Sequence, residues 1–222
     1  MDNFNDESEV YGLDLKIILV GNVSTGKTSI INRYVYNVFK QGIKATISPN
    51  FSHKIIKKNG VIYRLQFWDI PGQDRDPTLT SVFCRDAHGY LFCCDVLVEK
   101  SRKDILQWKQ SLENFLDITN IPGIIMENKC DLLGEEKDYE KDIDALKLFS
   151  EENNFSGAFR TSALNGYNIE NGMNFLIDEI IRKIEINEKK NIKKAINDDK
   201  TKNEDANIKK LTNKKEKSNK CC

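Results

Sequence analysis

No part of this 222-residue chain approaches the run of about 18 apolar residues that a bilayer-spanning helix requires. The apolar share is only 39%, against the usual ~45–50%. Cysteine occurs six times, yet never as C-x-x-C or at metal-ligand spacing. Cys84, Cys93, Cys94 and Cys130 fall in segments that read as core. They are expected to be buried small hydrophobes in a reducing compartment, without a disulfide framework. The opening MDNFNDESEV is acidic and polar and carries no secretory signal, so a cytosolic protein is expected unless lipid holds it to a membrane. The last 36 residues, Asn187–Cys222, contain no aromatic residue, glycine, proline or arginine. They hold 12 Lys against 6 acids, net +6, whereas residues 1–186 hold 22 basic against 28 acidic side chains, net −6. Such a tail cannot build a core and is expected to be disordered, its first part continuing the preceding helix in the alternative reading. Lysines without interleaved aromatics exclude base stacking, so no nucleic-acid partner is expected; an anionic membrane surface suits the tail better.

What is present begins at Leu13. LDLKIILV reads as a buried strand, GNVSTGKT as a tight loop, and SIIN as the first turns of a helix. The loop fits G-x-x-x-x-G-K-S/T, with Gly21, Gly26, Lys27 and Thr28 in register. Wrapping a diphosphate requires successive backbone N–H groups to point inward, and glycine supplies the dihedral angles and the close approach. The helix start adds its unpaired N–H groups and positive dipole end. Lys27 places a charge between the β- and γ-phosphates, and the Thr28 hydroxyl is positioned for Mg²⁺.

The remaining pattern alternates strands with helices. Strands are expected at Leu13–Gly21, Phe51–Lys58, Val61–Asp69, Gly89–Val96, Gly123–Met126 and Ala158–Ser162. Helices are expected at Thr28–Val38, Ser101–Leu116, Asp142–Asn153 and Asn168–Ile186. Asn59-Gly60 marks a hairpin between the second and third strands. The fold class is therefore α/β: a P-loop NTPase sheet of six strands, mostly parallel, one edge strand antiparallel, helices on both faces. Residues 1–12 form a disordered lead-in, 13–186 the folded domain, and 187–222 the tail. Ligands of such sheets bind beyond the carboxyl ends of the strands.

Four further segments lie at those ends. Asp69-Ile-Pro-Gly72 is a D-x-x-G, offering a carboxylate to Mg²⁺ through water and a glycine N–H to a γ-phosphate. Gln73 follows, where an amide can orient an attacking water. Asn128-Lys-Cys-Asp131 is an N-K-x-D whose aspartate accepts both N1–H and N2–H₂ of guanine, a pair adenine cannot offer. Ser162-Ala163 ends the last strand, where a backbone N–H can reach guanine O6.

These segments in this order resemble the Ras-superfamily small GTPases, and within them the Rab family. The resemblance covers roughly residues 13–186 and the C-terminus. Rab-like are Arg64-Leu-Gln-Phe-Trp68, Ala87-His88-Gly89 and Trp108, and Phe51, Trp68 and Phe83 match the aromatic triad that displays nucleotide state to effectors. Ile70 and Phe155–Arg160 look closest to the subgroup tied to lysosome-related organelles. The resemblance implies GTP/GDP and Mg²⁺ as ligands. It implies nucleotide contacts from Gly21, Val23, Ser24, Thr25, Gly26, Lys27, Thr28 and Ser29. Phe39 would lie edge-on against the base, and Gly72, Asn128, Lys129, Asp131, Ser162, Ala163 and Leu164 would complete the set. Thr28, Thr46 and Asp69 would hold the metal; Thr46 would grip it in the GTP state only, and Gln73 would position the water. Hydrolysis would be slow and stimulated by a GTPase-activating protein (GAP). An exchange factor, a GDP-dissociation inhibitor, prenylation machinery and effectors would be the partners. Cys221-Cys222 resembles the double geranylgeranyl signal that would anchor the protein to the cytosolic face of an internal membrane, since two lipid chains anchor where one does not.

The chain departs from the family pattern at six places. Ser48 replaces a glycine free to take positive φ, Pro49 follows it, and Pro71 replaces an alanine before Gly72. Ser24 stands where glycine is common, Leu164 where lysine is usual, and Glu127 where a small residue is typical. These changes keep open a second reading, a nucleotide-dependent membrane scaffold with little hydrolysis. A third is an ATP-using P-loop protein.

Overall fold

A computed structural model describes residues 12–73, 82–114 and 118–192. The lead-in before Gly12, the segment after Gln73, Phe115 and Leu116, and the tail beyond Ile192 with Cys221 and Cys222 lie outside the described residues. The chain divides into one compact unit ending at Ile180 and a second beginning at Ile181.

In the first unit the elements run β1 (Leu13–Val20), α1 (Lys27–Tyr36), β2 (Asn50–Lys58), β3 (Val61–Asp69), β4 (Gly89–Asp95), α2 (Glu99–Glu113), β5 (Gly123–Asn128), α3 (Ile143–Glu152) and β6 (Gly157–Arg160). A final helix, α4, occupies residues 169–180 of this unit. The six strands lie in the order β2-β3-β1-β4-β5-β6, and only β2 and β3 pair antiparallel. Their turn places Asn59 at φ 52° and Gly60 at φ 79°, the two positive angles of a tight hairpin.

Strands β4 and β5 are buried almost throughout, as parallel strands covered on both faces must be. Alternation along each strand sorts side chains to the two faces. Ile18, Val20, Tyr90 and Phe92 join Ile105, Trp108 and Leu112 of α2 and Leu146 of α3 in one cluster. The opposite face receives Tyr34 of α1, edge-on to Phe67 at 5.6 Å, and α4, whose Ile180 lies beside Gly89. The expected arrangement of a mostly parallel sheet between helical layers is thus the observed one.

Element ends differ from the sequence reading for local reasons. β5 continues past Met126 because Glu127 and Asn128 keep pairing with Cys94 and Asp95. β6 stops at Arg160 because Thr161 closes the ladder on the Glu127 carbonyl (2.8 Å) and Gly166 then turns back on the Ser162 carbonyl (2.8 Å). α1 ends two residues early, at a left-handed Asn37 whose N–H caps the Arg33 carbonyl. In the second unit residues 181–192 are helical, so the helix outlasts the expected end at Ile186. Its Glu and Lys residues favour helix, and Glu185 faces Lys189 one turn on at 4.0 Å.

The four described cysteines are buried and unpaired. Burial pushes the Cys84 and Cys130 thiols up to about 12 and Cys93 to about 11, and Cys94 well above the ordinary thiol value.

Candidate functional site

At the rim formed by the carboxyl ends of β1, β3, β5 and β6 lies a cavity of about 650 Å³. The strand order gathers there the loops that follow each of these ends, and because β2 runs antiparallel, the segment entering it arrives at the same rim.

The loop between β1 and α1 folds around its own lysine. Lys27 donates to the carbonyls of Gly21 (2.8 Å) and Asn22 (3.0 Å). Gly26 takes φ 96°, and a Cβ there would lie 2.2 Å from the Asn128 amide nitrogen. Only glycine fits. Ser24 also takes a left-handed φ, 65°, and it has a Cβ to strain. Ser48, by contrast, does not adopt a positive φ, so the expected loss of glycine-like freedom costs nothing at that position.

At one end of the cavity three oxygen donors converge. The Thr28 hydroxyl lies 3.0 Å from that of Thr46 and donates to the Asp69 carboxylate, which also accepts from Thr46 at 3.3 Å. Asp69 is 2% exposed, and its second oxygen, Oδ1, has no partner among the described residues. Burial raises the Asp69 pKa and lowers that of Lys27, each opposed in part by the charge of the other. Both ions are therefore short of solvation. Two hydroxyls and an under-bonded carboxylate form a hard-oxygen set, the donor type that Mg²⁺ selects.

At the other end the loops after β5 and β6 interlock. Asn128 donates to the Thr25 carbonyl (3.0 Å) and accepts from the Ala163 N–H (3.0 Å). Ser162 donates its hydroxyl to the Asp131 carboxylate. Lys129 takes a left-handed φ of 69° and pairs with Asp95 at the end of β4, 2.7 Å away. Arg33 on α1 donates to the carbonyls of Ala163 (2.9 Å) and Leu164 (2.5 Å).

Most of the residues singled out from sequence line the cavity: Val23, Ser24, Gly26, Lys27, Thr28 and Ser29 from the first loop, and Phe39 and Thr46 from the segment before β2. Gly72, Asn128, Lys129, Asp131, Ala163 and Leu164 line it too. Gly21, Thr25, Asp69 and Ser162 stand behind that lining and hold it through the bonds above. Gln73 is exposed and does not line the cavity. The lining carries four lysines (27, 40, 44 and 129) against the single Asp131, although the surrounding chain is acidic. A basic pocket in an acidic body suits a polyanion. Of the backbone N–H groups at Ser162-Ala163, where a contact to guanine O6 is expected, that of Ala163 is engaged by the Asn128 side chain (3.0 Å).

Sequence reasoning did not find Arg33, Asp95, or the link in which Trp108 donates to Asn22 (3.0 Å) and Asn22 donates to Asp104 (2.6 Å). These contacts join residues 34 to 131 positions apart, and no local pattern announces them. Outside the cavity, Phe51, Trp68 and Phe83 form a row with ring centroids 5.4 and 5.9 Å apart, Phe51 being 46% exposed.

The left-handed Ser24 predicts that Ser24→Gly stabilises the protein by about 1 kcal/mol, the cost of a Cβ in that conformation less the added freedom of the unfolded chain. Thermal melts of both proteins, loaded identically, check this; an unchanged or lower midpoint for the variant contradicts it.

Residues 16–185 match the Ras family. Ras-related protein Rab-32 of Homo sapiens is 35% identical over 170 residues, which cover 75% of this chain and 74% of that protein. Ras-related protein Rab-32A of Dictyostelium discoideum is 36% identical over 190 residues, 82% of this chain and 85% of its own. Ras-related protein Rab-7L1 of Homo sapiens is 33% identical over 171 residues, 75% and 82% of the two chains.

Proposed function

The chain belongs to the Ras family and, within it, to the Rab small GTPases, and from that membership we propose that it is a membrane-anchored switch in vesicle traffic, active toward effectors when GTP-loaded. The observation that carries the reading is one cavity with a hard-oxygen cluster at one end and the Asn128–Asp131–Ala163 cradle at the other.

Asp131 would accept both N–H donors of guanine, Asn128 and Ser162 holding its loop and Phe39 flanking the base. Lys27 would exchange its bonds to the Gly21 and Asn22 carbonyls for phosphate oxygens, joined by backbone N–H groups at the start of α1. Thr28, Thr46 and Asp69 would hold Mg²⁺, which supplies charge neutralisation at the β- and γ-phosphates. The Gly72 N–H would meet the γ-phosphate, and the Gln73 amide would orient the attacking water. Because Thr46 reaches the cluster from the segment before β2, loss of the γ-phosphate would release that segment and change what surrounds Phe51. An exchange factor, a GAP and a GDP-dissociation inhibitor would act on this cycle. Geranylgeranylation of Cys221 and Cys222, with the tail lysines beside an anionic surface, would fix the protein to a membrane.

Three measurements test the reading. Asp131→Asn should weaken GTP and favour xanthosine triphosphate, because the amide N–H₂ meets the guanine 2-amino group donor to donor but can donate to the C2 carbonyl of xanthine; unchanged nucleotide choice would favour an ATP-using protein. Single-turnover hydrolysis of bound GTP, with and without a GAP, should yield GDP that Gln73→Leu abolishes. No GDP from the wild-type protein in either condition would favour the scaffold reading. Removing Cys221 and Cys222 should release the protein from membranes in cells, and continued membrane residence would refute the lipid anchor.

A further inference from the structure

Directly beneath the proposed base pocket sits a group of charges that takes no part in the contacts above. Glu127, the penultimate residue of β5, is 1% exposed, and Arg160, its neighbour in register at the end of β6, is 3% exposed. One carboxylate serves two guanidinium groups. Its Oε1 accepts from Arg102 of α2, Nε at 2.7 Å and also Nη2, while its Oε2 accepts from Arg160 Nε (3.0 Å) and Nη2 (2.8 Å). The remaining nitrogen of Arg160, Nη1, donates to the carbonyls of Tyr139 (3.0 Å) and Lys141.

Stability alone does not account for this arrangement. Glu127 and Arg160 are out of water and the Arg102 side chain is three-quarters buried, which is costly, and apolar side chains of similar volume commonly stabilise a core as well or better. What the charges add is directional geometry. Glu127 immediately precedes Asn128. Arg160 immediately precedes Thr161-Ser162-Ala163. The carbonyls of Tyr139 and Lys141 end the stretch that begins at Asp131, and the Tyr139 hydroxyl accepts from Asn165 on the loop after Ala163 (3.1 Å). All three segments that bear on the base therefore terminate at this carboxylate or at its partner Arg160.

We infer that Glu127, clasped by Arg160 and Arg102, is a positioning residue for base recognition: it fixes the distance between Asn128, Asp131 and Ala163, and so sets how long the nucleotide stays and how well guanine is told from its analogues. The inference rests on the guanine-nucleotide reading above. It concerns residues that touch neither base nor phosphate, at a position where the family pattern has a small side chain.

The test compares wild-type protein with Glu127→Asp and with the triple variant Glu127→Leu, Arg102→Met, Arg160→Met. The readouts are thermal midpoint, the dissociation rate of mant-GDP, and competition of IDP against GDP. IDP lacks the 2-amino group that Asp131 would accept. Glu127→Asp keeps the charge and folds, but its shorter arm cannot hold both guanidinium forks. Its mant-GDP release should be about tenfold faster, within the range seen when a remote change loosens a site by a fraction of an ångström, and its preference for GDP over IDP should fall. The triple variant should melt within about 5 °C of wild type, yet release nucleotide fast. Wild-type rates and base preference in Glu127→Asp overturn the inference, as does a triple variant that recovers both melting and release. A wild-type protein that binds no mant-GDP overturns the guanine reading itself, whereas binding with unaltered variants overturns only the clasp.

Discussion

Much of the rim depends on one buried side-chain amide. Asn128, 1% exposed, donates to the Thr25 carbonyl and accepts from the Ala163 N–H, both at 3.0 Å. It thereby fastens the loop after β1 to the loop after β6, two segments separated in the sheet by β4 and β5. An unpaired amide in that position would cost about 1–3 kcal/mol, so the interior selects the one geometry that satisfies both ends. The neighbouring requirements follow. Gly26 must lack a Cβ because the Asn128 nitrogen occupies that space, and Asn128 can reach across only because β5 extends past Met126.

Around this staple the rim separates by chemistry. The end that holds Thr28, Thr46 and Asp69 is built of hydroxyls, a buried carboxylate and a lysine that is partly desolvated; the opposite end is built of amide and carboxylate groups whose partners come from other loops. Buried charge that finds too little compensation within the protein is an incentive for a ligand that supplies it, and Asp69, whose Oδ1 has no partner among the described residues, is such a group. The aromatic row from Phe51 to Phe83 begins beside the same segment that delivers Thr46. A change at the Thr28–Thr46–Asp69 cluster therefore has a short mechanical route to the surface.

The fold was legible because its signals are local. Apolar runs of strand length, Asn59-Gly60 at a hairpin, and glycine-rich loops at strand ends each act within a few residues, and a mostly parallel sheet between helices follows from their alternation. The cavity was legible for a related reason: the motifs lie at strand ends, and topology alone carries those ends to one rim. Element termini were read less well, since they depend on partners such as the Glu127 carbonyl that stops β6. Contacts made by Arg33, Asp95 and Asn22 were illegible, because each is chosen by a residue far away in the chain. Glu127 reads from sequence only as an odd side chain; Arg160 reaches it because β6 lies beside β5, and Arg102 comes to it from α2.

The cysteines of the folded unit carry a practical consequence. With Cys93 raised to about 11, Cys84 and Cys130 to about 12 and Cys94 well above the ordinary thiol value by burial, these four offer almost no thiolate at neutral pH. Of the six cysteine sulfurs in the chain, four are thus shielded by the fold's own interior, and an alkylating reagent at neutral pH meets protonated, buried thiols there.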